Sequence, residues 1–109
     1  MVKIRVLPPT QEDIRYCIEY ARDEFGRKCV LRWKKELEAI YARLIMFPLS
    51  YSLEPILKDF HRDCRSALLM DNFKLIYRYD KERDEIVIVD IWYTKRSQQT
   101  LLRQFKSKL

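Results

Sequence analysis

The sequence lacks several features that mark particular classes of protein. Its 109 residues include a single glycine, which excludes a glycine-rich phosphate-binding loop. The cysteines Cys17, Cys29 and Cys64 are odd in number and form no CxxC pair, which argues against a disulfide framework and a zinc site. No apolar run approaches the roughly 20 residues of a membrane helix, and MVKIRVLPP is too short and too alternating for a signal peptide. We therefore predict a cytoplasmic protein with no metal, no cofactor and no membrane contact.

The residues that are present fit one folded domain spanning 1–109. Apolar residues make up 48% and charged residues 35%, as in globular proteins rather than disordered ones. Positive charge is concentrated at the C-terminal end, where the last 15 residues contain no acid and carry +5 of the formal +6. These basic residues are Lys95, Arg96, Arg103, Lys106 and Lys108. Such a cluster indicates a polyanion or an acidic partner, although a solvated helix face has the same composition.

The first half of the chain has the pattern of a short strand and two helices. Residues 3–7 alternate as a strand does. Thr10 followed by Asp13 resembles a capping box and predicts a helix that starts there. Gly26 would end this helix in a left-handed conformation, so that a second helix over about 27–47 turns back on the first. The two helices are predicted to form an antiparallel hairpin whose apolar stripes need a further apolar surface.

The second half has the pattern of three strands and a short helix. Strands are predicted over 62–70, 73–79 and 85–94, and the continuous apolar run of the last indicates a central strand buried on both faces. Ser97 is a suitable cap for a final helix. The predicted fold is α+β, with an N-terminal strand, a two-helix hairpin, a three-stranded antiparallel meander and a short C-terminal helix. The first strand must then pair along an edge of the meander.

Two segments give the chain a resemblance to a known family. FKLIYRYD and EIVIVDIWYTKR, which follow a helix closed by Pro48, are similar to the third and fourth strands of the RelE/ParE superfamily of bacterial toxins. The resemblance covers essentially the whole chain. It implies the toxin of a type II toxin–antitoxin pair, which arrests growth and is wrapped by a cognate antitoxin. The implied target is the ribosome with its mRNA for RelE-like members and DNA gyrase for ParE-like members.

The resemblance also implies site residues. Cleavage of RNA by a 2′-hydroxyl requires proton transfers and stabilisation of a pentavalent phosphate, which a metal-free site can provide with Arg, Lys and a general acid or base. A RelE-like site of this kind would make the protein a ribosome-dependent endoribonuclease. Ala67 replaces one lysine of the family's site, and Leu102 falls near its tyrosine. With Tyr93 as a substitute proton donor, the predicted catalytic residues are Arg65, Lys74, Tyr93 and Arg96.

The RelE-like site lacks its general acid/base residues here, and this loss, together with the long helix hairpin, favours the ParE branch. We predict further contacts to nucleic acid or to the target protein from Arg78, Lys95 and Arg103. The sole histidine, His61, precedes the second strand, and a surface or loop role is favoured there over catalysis. The antitoxin is expected over the sheet and the hairpin rather than at the loop 80–84. The alternative is a non-toxic or decayed binding module of the same fold that contacts protein or nucleic acid.

Overall fold

A computed structural model describes residues 1–108 as a four-stranded sheet with helices on both faces. The elements in chain order are β1 (Lys3–Val6), α1 (Pro8–Phe25), α2 (Arg27–Met46), a 3₁₀ turn (Pro55–Leu57), β2 (Arg65–Leu69), β3 (Phe73–Asp80), β4 (Glu85–Tyr93) and α3 (Gln98–Lys106). The strand order is β1-β4-β3-β2, so the predicted α+β arrangement is confirmed.

The central position of β4 follows from its two neighbours. β1 pairs with it in parallel, Ile4 beside Ile86, and β3 pairs with it antiparallel. The side chains from Ile86 to Trp92 are all buried, as a strand covered on both faces requires. The prediction of a central strand from its apolar run is therefore confirmed.

Each face of the sheet is covered by a different group of helices. The hairpin of α1 and α2 packs Ile14, Trp33 and Leu44 on one face, which we call the hairpin face. On the other, the α3 face, Leu101 and Phe105 pack with residues of the 3₁₀ turn. Within residues 1–108, no helix is both long and apolar enough to cross a membrane.

The start of α1 and the start of β2 differ from prediction. α1 begins at Pro8, because proline in the first turn of a helix loses no hydrogen bond that the helix would make. Thr10 is therefore not a cap; it is buried, and its hydroxyl donates a 2.6 Å hydrogen bond to the carbonyl of Val89. β2 begins only at Arg65, because the chain before it forms a turn in which Cys64 N–H donates to the His61 carbonyl.

A bulge in β4 changes which side chains reach the α3 face. Ile76 pairs with Asp90 and the next residue, Tyr77, pairs with Ile88, so Val89 is an extra residue in β4. Val89 lies in the core on the α3 face, and the Asp90 carboxylate bonds to side chains of the C-terminal segment. The bulge thus directs an acidic side chain between the sheet and α3.

Gly26 alone joins α1 to α2. Its φ of 84° and ψ of −173° are not the left-handed helical values predicted, but belong to a region that is essentially restricted to glycine. Since a Cβ at this position would meet nothing within 4 Å, the cost of a side chain is backbone strain alone.

We expect Gly26→Ala to lower the free energy of unfolding by about 1–3 kcal/mol because of this strain. Urea denaturation followed by circular dichroism measures it. Lys34→Ala, an exposed change in the same hairpin, is the control and should stay within about 0.5 kcal/mol of the parent. Equal stability of Gly26→Ala and the parent would contradict a strained junction.

Candidate functional site

A cleft opens where β4 leaves the sheet, and we call it the β4 cleft. Its volume is about 420 Å³, and its walls come from α1, the start of β3, the end of β4 and the C-terminal segment. Tyr93 and Arg96 both line it, together with Phe73 of β3 and Asp13 and Cys17 of α1. The structure therefore places Tyr93 and Arg96, two of the four predicted catalytic residues, in one cleft.

Arg96 supplies the available charge of the cleft. Its guanidinium is exposed and donates one hydrogen bond, of 3.3 Å, to the neutral side chain of Gln104. Among residues 1–108 no carboxylate pairs with it. The turn that carries it is fixed by the Arg96 N–H bond to the Tyr93 carbonyl and by the Ser97 hydroxyl, which caps α3 as predicted. Arg96 is thus held in position and remains free to bind an anionic group.

Tyr93 forms the rim of the cleft. Its ring lies 5.4 Å from that of Phe73, which lies 4.9 Å from that of Trp33, so the three rings form an aromatic wall. The Tyr93 side chain is exposed at the end of this wall. Its hydroxyl has no hydrogen-bond partner among the described residues and is available to a ligand.

Beneath the cleft, the Asp90 side chain is completely buried, and both of its carboxylate oxygens accept hydrogen bonds. Its carboxylate accepts bonds from its neighbour's backbone N–H at 2.8 Å and from three side-chain groups. These are Trp92 Nε1 at 2.8 Å, Gln104 Nε2 at 3.0 Å and Lys108 Nζ at 2.7 Å. The cluster ties the C-terminal segment to the bulge of β4.

Lys108 lines the cleft but contributes little free charge. Burial alone would lower the pKa of its amine, yet hydrogen bonds to Asp13 and Asp90 outweigh this effect and raise the pKa above the ordinary lysine value. Lys108 is therefore a fixed cation whose charge two carboxylates neutralise.

Cys17 does not provide a reactive thiolate in the cleft. Burial, reinforced by the Asp13 carboxylate, raises the pKa of its thiol to about 11, although Arg96 and Lys108 act in the opposite direction. The thiol is consequently protonated at neutral pH, and the thiol form is a poor nucleophile.

Lys74 lies outside the β4 cleft and is held in an ion pair. It projects toward the α3 face, in register with Trp92, and its Nζ lies 2.7 Å from a carboxylate oxygen of Glu54. The Glu54 side chain is buried and also accepts hydrogen bonds from Ser66 Oγ at 2.9 Å and Ile56 N at 2.8 Å. The charge of Lys74 is thus neutralised inside the protein.

Arg65 and Arg78 occupy two further places. Arg65 pairs in register with Tyr77 on the hairpin face, and its guanidinium donates to the Tyr51 carbonyl at 2.7 Å. Tyr77 lies four positions after Phe73 in β3, which is about 13 Å along a strand. Arg78, in register with Val87, lies on the α3 face. The structure therefore does not gather Arg65, Lys74 and Arg78 around Tyr93 and Arg96.

The remaining predicted contact residues are unpaired. Lys95, in the turn beside Arg96, and Arg103, on α3, are exposed and have no carboxylate within ion-pair distance among residues 1–108. Lys95 adjoins Arg96 in the turn after β4, and Arg103 precedes Gln104, the α3 residue that Arg96 contacts, so the three cations lie in the segment that follows β4. An acidic partner would meet them without first breaking internal ion pairs.

A second groove continues from the β4 cleft along α1, and we call it the aromatic groove. It has a volume of about 620 Å³ and shares Phe73, Tyr93 and Arg96 with the cleft. Its outer wall is formed by exposed side chains, namely Tyr16, Tyr20 and Phe25. Exposed aromatic side chains beside a charged rim are typical of protein-binding surfaces.

Sequence reasoning missed the acidic partners that decide these charges. Asp90 was detectable, because it is the one acid in the apolar run 86–92 and a buried strand tolerates an acid only with partners. Glu54 had no comparable signal, since it precedes Pro55 in a segment of mixed polarity and its partner Lys74 is 20 residues away.

Comparisons with known proteins agree with this fold. The family described as the ParE toxin of the type II toxin–antitoxin system parDE matches residues 4–98. The isolated RelE toxin of E. coli, a crystal structure, superposes with a TM-score of 0.56 at 13% identity, covering 100% of this chain and 98% of that chain. At this identity the likeness shows the fold alone. No curated protein sequence matches the chain. The family match ends at residue 98, so α3 lies almost entirely beyond it.

Proposed function

The chain belongs to the ParE toxin family of type II toxin–antitoxin systems, and from this premise we propose that it arrests bacterial growth by poisoning DNA gyrase in the cytoplasm. In this proposal a cognate antitoxin holds the toxin inactive. The toxin acts by binding its target protein and cleaves no RNA.

The separation of the basic side chains is the observation that carries this proposal. A metal-free site for RNA cleavage needs several cations around one phosphate together with a proton donor. Lys74 lies on the α3 face and is neutralised by buried Glu54, whereas Tyr93 and Arg96 lie at the β4 cleft. A lone guanidinium beside a phenol is a weak basis for phosphate-transition-state stabilisation and a sound one for gripping a protein surface.

The unpaired cations support the same conclusion. Lys95, Arg96 and Arg103 can meet acidic side chains of a target, while the aromatic groove beside them offers apolar contact area. Central aromatic residues with a charged rim are the arrangement that dominates the energy of protein interfaces. We therefore assign target binding to the β4 cleft and the aromatic groove together.

The deciding experiment uses the purified, refolded toxin with DNA gyrase and supercoiled plasmid. A gyrase poison should accumulate cleaved DNA covalently held by gyrase, and premixed antitoxin should prevent this. In parallel, the toxin is added to ribosomes translating a defined mRNA. Intact plasmid together with mRNA cut only on the ribosome would refute gyrase poisoning and establish the rival activity.

Cleavage of mRNA is the second candidate, and the pairing of Tyr93 with Arg96 in one cleft favours it. Among residues 1–108 the Tyr93 hydroxyl has no hydrogen-bond partner, and a phenol beside a guanidinium could move a proton near a bound phosphate. Tyr93→Phe keeps the ring on Phe73 and removes only the hydroxyl. A nuclease that depends on this hydroxyl would lose activity in Tyr93→Phe, whereas a gyrase poison would retain it.

Arg96→Ala is expected to reduce toxicity by at least about tenfold. The change removes one charge-assisted contact to the target, worth roughly 1.5–3 kcal/mol. Among the residues that the structure describes, it breaks only the 3.3 Å bond to Gln104, so the fold should be unaffected. Growth arrest is measured against inducer level, with soluble protein quantified. Lys34→Ala on α2, also an exposed cation, is the matched control and should remain fully toxic.

The antitoxin is expected to cover the hairpin and the β4 cleft. Because Tyr16, Tyr20 and Phe25 are exposed together along α1, an amphipathic partner segment would bury them. Hydrogen exchange of the complex should show added protection within residues 10–47 and 86–105. Added protection confined to the loop 80–84 would contradict this placement.

A further inference from the structure

We propose that His61, Asp63 and Cys64 bind a zinc ion in the turn that precedes β2. This site is independent of the gyrase proposal. It lies on the α3 face, away from the β4 cleft, and combines one nitrogen, one oxygen and one sulfur donor. These are the three donor types that zinc accepts in proteins.

The geometry of the turn brings the three donors together. One ligand atom from each of these residues lies within 4.8 Å of the other two. In a tetrahedral zinc site, with Zn–S about 2.3 Å and Zn–N or Zn–O about 2.0–2.2 Å, ligand atoms are roughly 3.3–3.6 Å apart. A 3.2 Å hydrogen bond from Cys64 N–H to the His61 carbonyl holds the backbone of the turn in place. The Asp63 side chain is exposed, so it has room to rotate toward the other two ligands. A small side-chain rotation therefore closes the site.

The lone pairs of all three side chains are unused. Among residues 1–108, none of the three side chains has a hydrogen-bond or ion-pair partner, although Cys64 is only 1% exposed. The His61 ring is held edge-on to Phe60 at 5.0 Å and to Phe105 at 5.3 Å, which orients its nitrogens. A buried sulfur beside an oriented imidazole and an exposed carboxylate is a set of donors that a cation would complete.

The charge balance of the site also favours a divalent cation. A thiolate and a carboxylate carry two negative charges, which one zinc ion neutralises. Zinc would displace the thiol proton, as it does at protein sites generally. Three protein ligands leave the fourth position to water, so the site is open rather than closed.

The test uses the full-length chain without a histidine tag, stripped with chelator. Calorimetric titration with Zn²⁺ should give one site per chain, and Co²⁺ should give a thiolate-to-cobalt charge-transfer band that Zn²⁺ displaces. His61→Gln and Asp63→Asn change partly exposed side chains and leave the fold intact. Each should weaken binding by more than the roughly 10–100-fold that loss of an outer-shell partner costs.

Cys29→Ser, a half-buried cysteine in α2, is the control and should bind as the parent does. Cys64→Ser should abolish the charge-transfer band; if this variant does not fold, the other two still decide. No saturable binding by the parent would overturn the proposal. Binding that survives both His61→Gln and Asp63→Asn, or that disappears in Cys29→Ser, would overturn it as well.

Discussion

Replacing Asp90 by alanine should lower the free energy of unfolding by about 3–5 kcal/mol, the cost of removing one partner of a buried ion pair. Asp90 is buried without exposure, and the Lys108 side chain that it holds is 6% exposed. Alanine would leave Lys108 with Asp13 alone, Trp92 Nε1 without its acceptor, and Gln104 Nε2 with only the Ile91 carbonyl. Both α3 and the end of β4 should loosen, and urea denaturation should show the loss directly.

Two matched variants separate the causes of this loss. Asp90→Asn keeps the shape and one acceptor oxygen but removes the charge, so it should lose less than alanine does. Asp13→Ala removes the other carboxylate that contacts Lys108. The Asp13 side chain is 46% exposed, so its loss should cost only about 0–1 kcal/mol. If Asp90→Ala were as stable as Asp13→Ala, the buried cluster would contribute nothing to the fold.

The cluster should also resist changes in pH over the neutral range. The pKa of Lys108 is raised in the folded state, so its stabilising contribution is full below the ordinary lysine pKa. The contribution disappears only as the pH rises through the higher folded-state value. The stability difference between the parent and Asp90→Ala should therefore begin to narrow only in strongly alkaline solution, and the part due to the neutral donors Trp92 Nε1 and Ile91 N–H should persist there.

Lys74→Ala should act mainly on stability, with a loss of about 3 kcal/mol, the low end of the range for a broken buried pair. The Glu54 carboxylate would remain buried with only Ser66 and the Ile56 N–H as donors. The low end applies because Lys74 itself is 31% exposed. Toxicity per folded molecule should change little if Lys74 does not contact the target, in contrast to the expected loss in Arg96→Ala.

A double-mutant cycle tests this structural role. Glu54→Gln combined with Lys74→Ala removes both charges, so no buried carboxylate is left unpaired. The double variant should therefore be more stable than Lys74→Ala alone. Strict additivity of the two single losses would show that the 2.7 Å ion pair contributes no coupling energy. If Lys74→Ala were as stable as the parent but had lost all toxicity, Lys74 would have a functional role rather than a structural one.

The element order could be predicted from the sequence, because it depends on local signals. The apolar run 86–92 indicated a buried central strand, and Ser97 indicated the start of α3; both are confirmed. The start of α1 was predicted wrongly at Thr10, since a hydroxyl near a helix start looks the same whether it caps the helix or bonds to Val89 across the core.

The composition of the site could not be predicted in the same way, because it depends on contacts between distant residues. The bulge at Val89 shifts the register of β4, so a strict two-residue alternation fails to place Asp90. Whether Lys74 is free or neutralised depends on Glu54, which a separate loop delivers. The placement of Asp90 and the pairing of Lys74 with Glu54 both result from tertiary packing, and no local sequence pattern predicts either of them.

The parallel pairing of β1 with β4 sets the order in which a nascent chain can complete its fold. Residues 3–6 pair with residues 85–88, so β1 cannot join the sheet until β4 is present. Contacts this distant in sequence form late, since the long loop between them must first be closed. During translation, the surface that we propose for target binding, at Tyr93 and Arg96, is therefore assembled only after β4 has been synthesised. A message cut short upstream of β4 would yield a fragment that lacks both the central strand and this surface.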